Sequence, residues 1–254
     1  MPQSALLNAI IRSFHPRNIK KKLLHIALRG NTVECPCCGS RYLTFLPAGI
    51  KKRANAKCIK CGSLERHRTL WLYLHEKPGF FTTPAKLLHV APEIQLYKKF
   101  ARLANINYQS IDLHPDKYWY GHKTKQMDVT AMTYTDESFD IVICNHVLEH
   151  IPEDRKAISE LYRVCKTGGF AILNVPVDSK LDSTIEDPYI TDPVKMKELF
   201  GQPDHVRVYG KDYITRLTGA GFKVEVIDFV SKFSHNEQFR YGLKPQELIY
   251  YCSK

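Results

Sequence analysis

Acidic side chains are almost lacking from residues 1–80. That stretch holds 15 Lys and Arg against 3 Asp and Glu, whereas the rest of the chain holds 22 and 23. The net charge of +11 therefore arises in the first third, which points to an anionic partner there. Long apolar runs are also missing: none approaches the roughly 20 residues needed to cross a bilayer. The opening stretch MPQSALLNAIIRSFHPR has no positive charge ahead of its short apolar segment, so it does not read as a secretory signal. These absences predict a cytoplasmic protein with no membrane span. Compositional bias towards disorder is lacking too, with 44% hydrophobic and 25% charged residues. A chain of 254 residues suits one α/β domain with a small appendage.

Eight cysteines in a chain without an export signal read as thiols or metal ligands rather than disulfides. Five of them lie in Cys35-Pro36-Cys37-Cys38-Gly39 and Cys58-Ile59-Lys60-Cys61-Gly62. The pairs Cys35/Cys38 and Cys58/Cys61 are both C-x-x-C, separated by the segment 39–57. Two such turns aim four thiolates at one centre, a tetrahedral zinc shell, and the glycine after each pair permits the tight backbone. The segment resembles a zinc ribbon, and a shell filled entirely by protein makes the expected zinc structural. Zinc binding of about 10–16 kcal/mol can hold together a segment too small to bury its own core. Cys37 is left as an alternative ligand or a spare thiol. Cys144, Cys165 and Cys252 read as buried apolar fillers.

Around this ribbon the basic residues cluster in Lys20-Lys21-Lys22, Lys51-Lys52-Arg53 and Arg66-His67-Arg68. They could track RNA phosphates, recognise an anionic glycan or phosphorylated small molecule, or form a solvated surface that offsets the thiolate charge. Leu6, Leu7, Ile10, Ile11 and Phe14 have helical spacing that suits packing on a domain. The expected division is a basic helical segment over 1–30, the ribbon and a following helix over 31–80, and an α/β domain over 81–254.

In that last part strands alternate with helices. Strands are expected at Lys86–Val90, Tyr108–Leu113, Met127–Val129, Phe139–Cys144 and Phe170–Val175, with a helix over 94–104. A second helix opens at Pro152, carries Glu153 and Asp154 in its first turn, and stops before Gly168-Gly169. This alternation predicts a mostly parallel sheet that binds ligands at the carboxyl ends of its strands. His89-Val90-Ala91-Pro92-Glu93, after the first strand, contains no glycine, which counts against NAD and FAD. S-adenosylmethionine (SAM) has no phosphate and needs only close backbone approach, which Ala91 could permit. Asp112, ending the second strand, could accept both hydroxyls of a ribose, and Asp128 an adenine amino group. Either acid could instead cap a turn.

The run Phe139-Asp140-Ile141-Val142-Ile143-Cys144-Asn145-His146-Val147-Leu148-Glu149-His150-Ile151, followed by the helix and Lys166-Thr167-Gly168-Gly169, resembles the class I SAM-dependent methyltransferases of type 11. The resemblance spans about residues 86–253, with Val224–Phe229 and Leu248–Tyr251 as closing strands. It implies a Rossmann-like sheet of seven strands preceded by a small zinc-ribbon module. It also implies that His89, Val90, Ala91, Pro92 and Glu93 flank the cofactor SAM, with Asp112 on its ribose. Asp128 and Val129 would lie beside the adenine and Asn145 beside the methionine part. The family's glycine-rich loop is absent here, and His89 replaces its usual acid.

Methyl transfer needs a nucleophile held in line near the methyl group and, for some acceptors, a base. His146 and His150 are the candidate bases, although both could serve structure at the helix start. Asp204, His205 and Arg207 are second-rank candidates. Tyr118-Trp119-Tyr120 and Tyr189 could line a pocket, which favours a small-molecule or glycan acceptor. An RNA acceptor docked through the basic ribbon is the alternative. A non-catalytic zinc-ribbon binding protein with a degenerate methyltransferase domain is a third reading.

Overall fold

The computed structural model describes residues 16–118, 123–187 and 189–254, without the side chains of residues 16–18, 20 and 21. The expected helix through Leu6–Phe14, together with Trp119, Tyr120 and the side chains of Lys20 and Lys21, lies outside the described residues. Helix α1 (Pro16–Ala27) leads into β1 (Arg29–Glu34), β2 (Arg41–Tyr42), β3 (Leu46–Ala48), β4 (Arg53–Lys57) and α2 (Glu65–Glu76). Next come β5 (Ala85–Val90), α3 (Ile94–Phe100), β6 (Ile106–Asp112), β7 (Lys125–Gln126), β8 (Phe139–Asn145), α4 (Asp154–Val164) and β9 (Cys165–Asn174). The chain ends with β10 (Ile185–Glu186), α5 (Pro193–Phe200), β11 (Arg207–Val208), α6 (Tyr213–Gly219), β12 (Lys223–Ile227), α7 (His235–Tyr241) and β13 (Ile249–Ser253).

Two compact units result, residues 1–77 with 228–247, and residues 78–227 with 248–254. This departs from the expected division at 30 and 80. The insertion between β12 and β13, read from the sequence as part of the α/β domain, folds with the cysteine segment instead. Its contacts there give the reason. Phe229 meets Tyr73 edge-on at 5.6 Å between ring centroids, Arg240 pairs with Glu34 at 2.9 Å, and Asn55 Nδ2 donates to the Phe239 carbonyl at 2.8 Å.

The first unit contains two antiparallel hairpins, β1–β2 and β3–β4, followed by α2. Helix α2 starts without a polar N-cap side chain: the Leu64 amide donates instead to Nδ1 of His67, three positions on, at 3.0 Å. Arg68 is fully buried on the next position. It donates to the carbonyls of Ser63 (2.7 Å), Ala56 (2.8 Å) and Gly242, and lies over the Phe45 ring. His67 and Arg68 therefore hold this unit together and are not available to track phosphates. Arg53 is engaged as well, in a two-bond pair with Glu65, whereas Lys51 and Lys52 are exposed.

The second unit is built on a seven-stranded sheet in the order β7-β6-β5-β8-β9-β13-β12. Strands β5 to β9 run parallel, and β13 is antiparallel to both of its neighbours. Strand β8, apolar at nearly every position, is buried on both faces as a central parallel strand must be. Helix α4 covers it with Ala157, Ile158, Leu161 and Val164, all fully buried. Cys144, Cys165 and Cys252 are fully buried in the same core, as read from the sequence.

Several boundaries move: the helix expected over 94–104 ends at Phe100, and the one expected from Pro152 begins at Asp154. The third strand is Lys125–Gln126 rather than Met127–Val129, because the chain turns at Asp128. Gly168 and Gly169 do not end a helix but lie inside β9. A side chain at Gly169 would come within 2.7 Å of the Asp140 carbonyl, so glycine lets β9 close on β8. Register places Ile111, Val90, Cys144 and Leu173 side by side across the sheet, so the turns after β6, β5, β8 and β9 share one edge.

Candidate functional site

At the end of β5, Ala91 takes a left-handed backbone, φ +44°, and its amide donates to the Ile111 carbonyl at 2.8 Å. That conformation favours glycine, so the turn keeps a glycine-type backbone without the glycine. Pro92 is buried. The Glu93 side chain crosses the sheet edge, accepting from Asn145 Nδ2 at 2.8 Å and lying 3.7 Å from His89 Nε2. His89 is fully buried, with its Nδ1 3.1 Å from the Tyr108 hydroxyl. A carboxylate therefore stands beside position 89, carried by residue 93. Asn145 Oδ1 is buried with no hydrogen-bond partner among the described residues.

Asp112 and Asp128 lie at the ends of β6 and β7, and both hold turns. Asp112 Oδ1 accepts from the His114 amide at 2.6 Å; Asp128 Oδ1 accepts from the Thr130 amide and hydroxyl, both at 2.8 Å. All three bonds fall on Oδ1. Asp112 is half-buried, Asp128 is exposed and Val129 beside it is buried.

The turn after β8 brings the histidines together. His146 is also left-handed (φ +57°), its amide bound to the Asn174 carbonyl at 2.8 Å and its Nδ1 3.3 Å from Glu149 Oε1. Glu149 is buried, which opposes its charge. The nearby His146 and His150 outweigh that effect and hold its carboxyl below the usual range. His150 Nδ1 donates to the Asp204 carbonyl at 2.9 Å, and the ring meets His205 edge-on at 4.7 Å. Burial pushes the His205 imidazole down, which favours its neutral form.

Other candidates fall elsewhere. Arg207 is 1% exposed in its side chain and bonds the carbonyls of Leu148, Ile151 and Pro152 and the carboxylate of Glu186; it supports the turn and is not a surface contact. Tyr189 is 91% exposed and Tyr118 46%, so neither lines a pocket among the described residues. No short-range pattern marked the Arg207–Glu186–Arg216–Asp154 network, because its members come from segments far apart in the chain. The His89–Glu93 pairing had a visible signal, an imidazole and a carboxylate at i and i+4 across a turn.

In the first unit the sulfurs of Cys35, Cys38, Cys58 and Cys61 lie within 4.8 Å of one another. Gly39 and Gly62 are left-handed, with their amides on the carbonyls of Cys35 and Cys58. The Ser63 hydroxyl lies 3.1 Å from Cys35 Sγ and 3.2 Å from Cys61 Sγ. Hydrogen bonds from Cys35, Cys58 and Cys61 drive the Cys38 thiol far down, and its neighbours are driven up. Four soft donors at this spacing fit a zinc ion. Cys37 is not part of the cluster; its buried thiol faces the His67 carbonyl.

Comparison with known proteins bears on the second unit. Residues 89–173 match the family model of a methyltransferase domain. Among curated proteins, the chain is 35% identical over 49 residues to a phosphatidylethanolamine N-methyltransferase of Cereibacter sphaeroides, 19% of this chain and 24% of that one. It is 32% identical over 83 residues to the uncharacterized methyltransferase YcgJ of Bacillus subtilis, 33% of this chain and 30% of that one. The chain thus matches less than a third of the length of either relative. Among solved structures, an SAM-dependent methyltransferase from Mesorhizobium loti superposes with a TM-score of 0.51 at 12% identity, over 73% of this chain and 98% of that one. This similarity is one of fold, and the seven-stranded sheet is the Rossmann-like methyltransferase sheet. No helix among the described residues is long and apolar enough to cross a membrane.

Proposed function

We propose that the chain is an SAM-dependent methyltransferase acting on a small-molecule or glycan acceptor, preferred over RNA because Arg53 and Arg68, two of the basic residues that RNA would need, are engaged inside the first unit. The observation that carries this reading is the edge formed by the left-handed Ala91, Asp112 and Asn145 within the segment and sheet matched above. Its chemistry fits the methyl donor. The buried, unpartnered Asn145 Oδ1 and the Glu93 carboxylate suit a ligand with an ammonium and a sulfonium charge. Asp112 would hold the ribose, with Asp128 and Val129 beside the adenine. When bound, SAM supplies an electrophilic methyl group and its own leaving group.

The residues after β8 would do the rest. Glu149 Oε1 lies 3.3 Å from Nδ1 of His146; a proton held on that nitrogen would leave the lone pair on Nε2, the arrangement of an imidazole that takes a proton from an acceptor hydroxyl or amine. His150, whose Nδ1 is bonded to the Asp204 carbonyl, is the less suited of the two.

We further infer that Cys35, Cys38, Cys58 and Cys61 bind one structural zinc ion. The phospholipid acceptor in the name of the Cereibacter relative is not carried over, since the match covers 19% of this chain. With Arg53 and Arg68 engaged inside the first unit, support for an RNA acceptor narrows to exposed lysines such as Lys51 and Lys52.

Titration calorimetry of the full chain with SAM tests the reading. Binding is expected, weakened by about 1.5–3 kcal/mol in Asp112→Ala, the value of hydrogen bonds to a charged acceptor. No binding at tens of micromolar overturns the enzymatic reading; unchanged affinity in the variant overturns the role of Asp112. RNA binding that falls steeply with salt would favour the alternative acceptor. One zinc per chain, lost in Cys58→Ser, is expected from metal analysis.

A further inference from the structure

A second group of side chains able to bind a metal lies in the α/β unit, and none of its members is a cysteine. Glu149, His150 and His205 each offer a ligand atom, and these atoms lie within 4.8 Å of one another. Glu149 and His205 are buried, and His150 is partly exposed beside them. Arg207 fixes the turn that carries Glu149 and His150, and the Val206 amide donates to the Glu149 carbonyl at 3.0 Å, which brings His205 alongside.

The Glu149 carboxylate is the informative member. Its Oε1 faces His146, but Oε2 is buried, on a residue 1% exposed, and has no hydrogen-bond partner among the described residues. A buried carboxylate oxygen left unbonded has given up its hydration without return, so such an atom points to a ligand. The His150 imidazole is oriented for the same ligand. Donation from His150 Nδ1 to the Asp204 carbonyl orients that ring and leaves the lone pair on the other nitrogen, as supporting bonds do for metal-bound histidines.

We propose that Glu149, His150 and His205 form a binding site for one divalent first-row transition cation. Two imidazoles and one carboxylate favour Mn²⁺, Co²⁺ or Zn²⁺ over Mg²⁺ and Ca²⁺, which prefer all-oxygen shells. Three protein ligands leave coordination positions open, so the site differs in kind from the closed four-cysteine cluster. Its position after β8 puts the cation at the sheet edge where the methyl donor is proposed to bind. Its existence does not depend on that chemistry.

The test is titration of the zinc-loaded full chain with Co²⁺. One further equivalent is expected, with the weak visible bands of nitrogen- and oxygen-bound cobalt and no thiolate charge-transfer band. Glu149→Gln and His205→Asn should each weaken this binding about 10-fold or more, with zinc still at one per chain. The unaltered chain provides a second measurement that does not require the variants to fold: Co²⁺ should protect His150 from acylation by diethylpyrocarbonate, read by peptide mass spectrometry.

The site would be overturned by no uptake of Co²⁺, by uptake that shows only the thiolate band, or by wild-type affinity in both variants. Unchanged His150 labelling counts the same way. Calorimetry with SAM on the same sample separates the two proposals, since a chain that binds SAM but not Co²⁺ loses this site alone, and the converse loses the methyltransferase reading alone.

Discussion

Replacing Arg207 by methionine should destabilise the α/β unit far more than removing any surface cation. The guanidinium donates to the Leu148 carbonyl at 2.8 Å, the Pro152 carbonyl at 2.9 Å, the Ile151 carbonyl and Glu186 Oε2 at 2.9 Å. Methionine keeps much of the volume but supplies no donor, so three carbonyls of one turn lose their bonds at a site closed to water. Counted singly, at about 1–3 kcal/mol each, these losses reach the upper end of what a point substitution costs. Arg216 limits the damage, because it remains paired with both Glu186 and Asp154. A broken buried pair costs about 3–5 kcal/mol, and that is the expected loss, equivalent to a fall in Tm of about 6–20 °C in a unit of this size. Hydrogen exchange of the β8 and β9 amides reads this unit separately from the cysteine unit. Lys211→Met is the control: its pair with Asp182 is solvent-exposed, and its loss should leave the stability essentially unchanged. If Arg207→Met came within about 1 kcal/mol of the parent chain, less than the loss of a single buried bond, the guanidinium would not be what holds the turn.

Two further expectations concern the same unit. Ala91→Gly removes a left-handed alanine, a gain of about 1–2 kcal/mol, against about 0.4–1 kcal/mol of added unfolded-state freedom; a stability equal to or above the parent is expected, and a clear loss by hydrogen exchange at β5 would show that the methyl group is needed there. Arg216, with Arg207, holds the Glu186 carboxyl down to about 2 from an ordinary 4.5. A lowered folded-state value contributes stability that is complete above about 4.5 and is lost as the pH falls towards 2, so Glu186→Gln should flatten the acid limb of the stability curve in that window. An acid limb of unchanged slope would refute the pairing.

What could be read from the sequence was what depends on short-range pattern. Strands β5, β6, β8 and β9 announced themselves as apolar runs with turn residues after them, and the order of a parallel sheet follows from such alternation. The cysteine spacing likewise encoded its own cluster. Long-range pairings left no such trace. Residues 228–247 have the composition of any connecting segment, and their place with the cysteine unit is settled by Phe229 on Tyr73 and Arg240 on Glu34, contacts between segments far apart in the chain. The basic run Arg66-His67-Arg68 misled for the same reason: charge in a sequence reads as surface, yet His67 caps a helix and Arg68 finds three carbonyls inside the fold.

The candidate site was half legible, and the missing half concerns backbone conformation. Among the described residues, the turns after β5 and β8 each place a non-glycine residue at positive φ, Ala91 at +44° and His146 at +57°. Each such residue costs about 1–2 kcal/mol, and two of them at the ends of neighbouring strands need support from their surroundings. The support is visible as amide bonds from Ala91 to Ile111 and from His146 to Asn174, which tie each turn to the next strand of the sheet. A sequence scan for a glycine-rich loop registers an absence at residues 89–93, because it searches for the residue that makes the conformation easy. The fold keeps the conformation and holds it by hydrogen bonds, so a missing glycine there is poor grounds for reading the domain as degenerate.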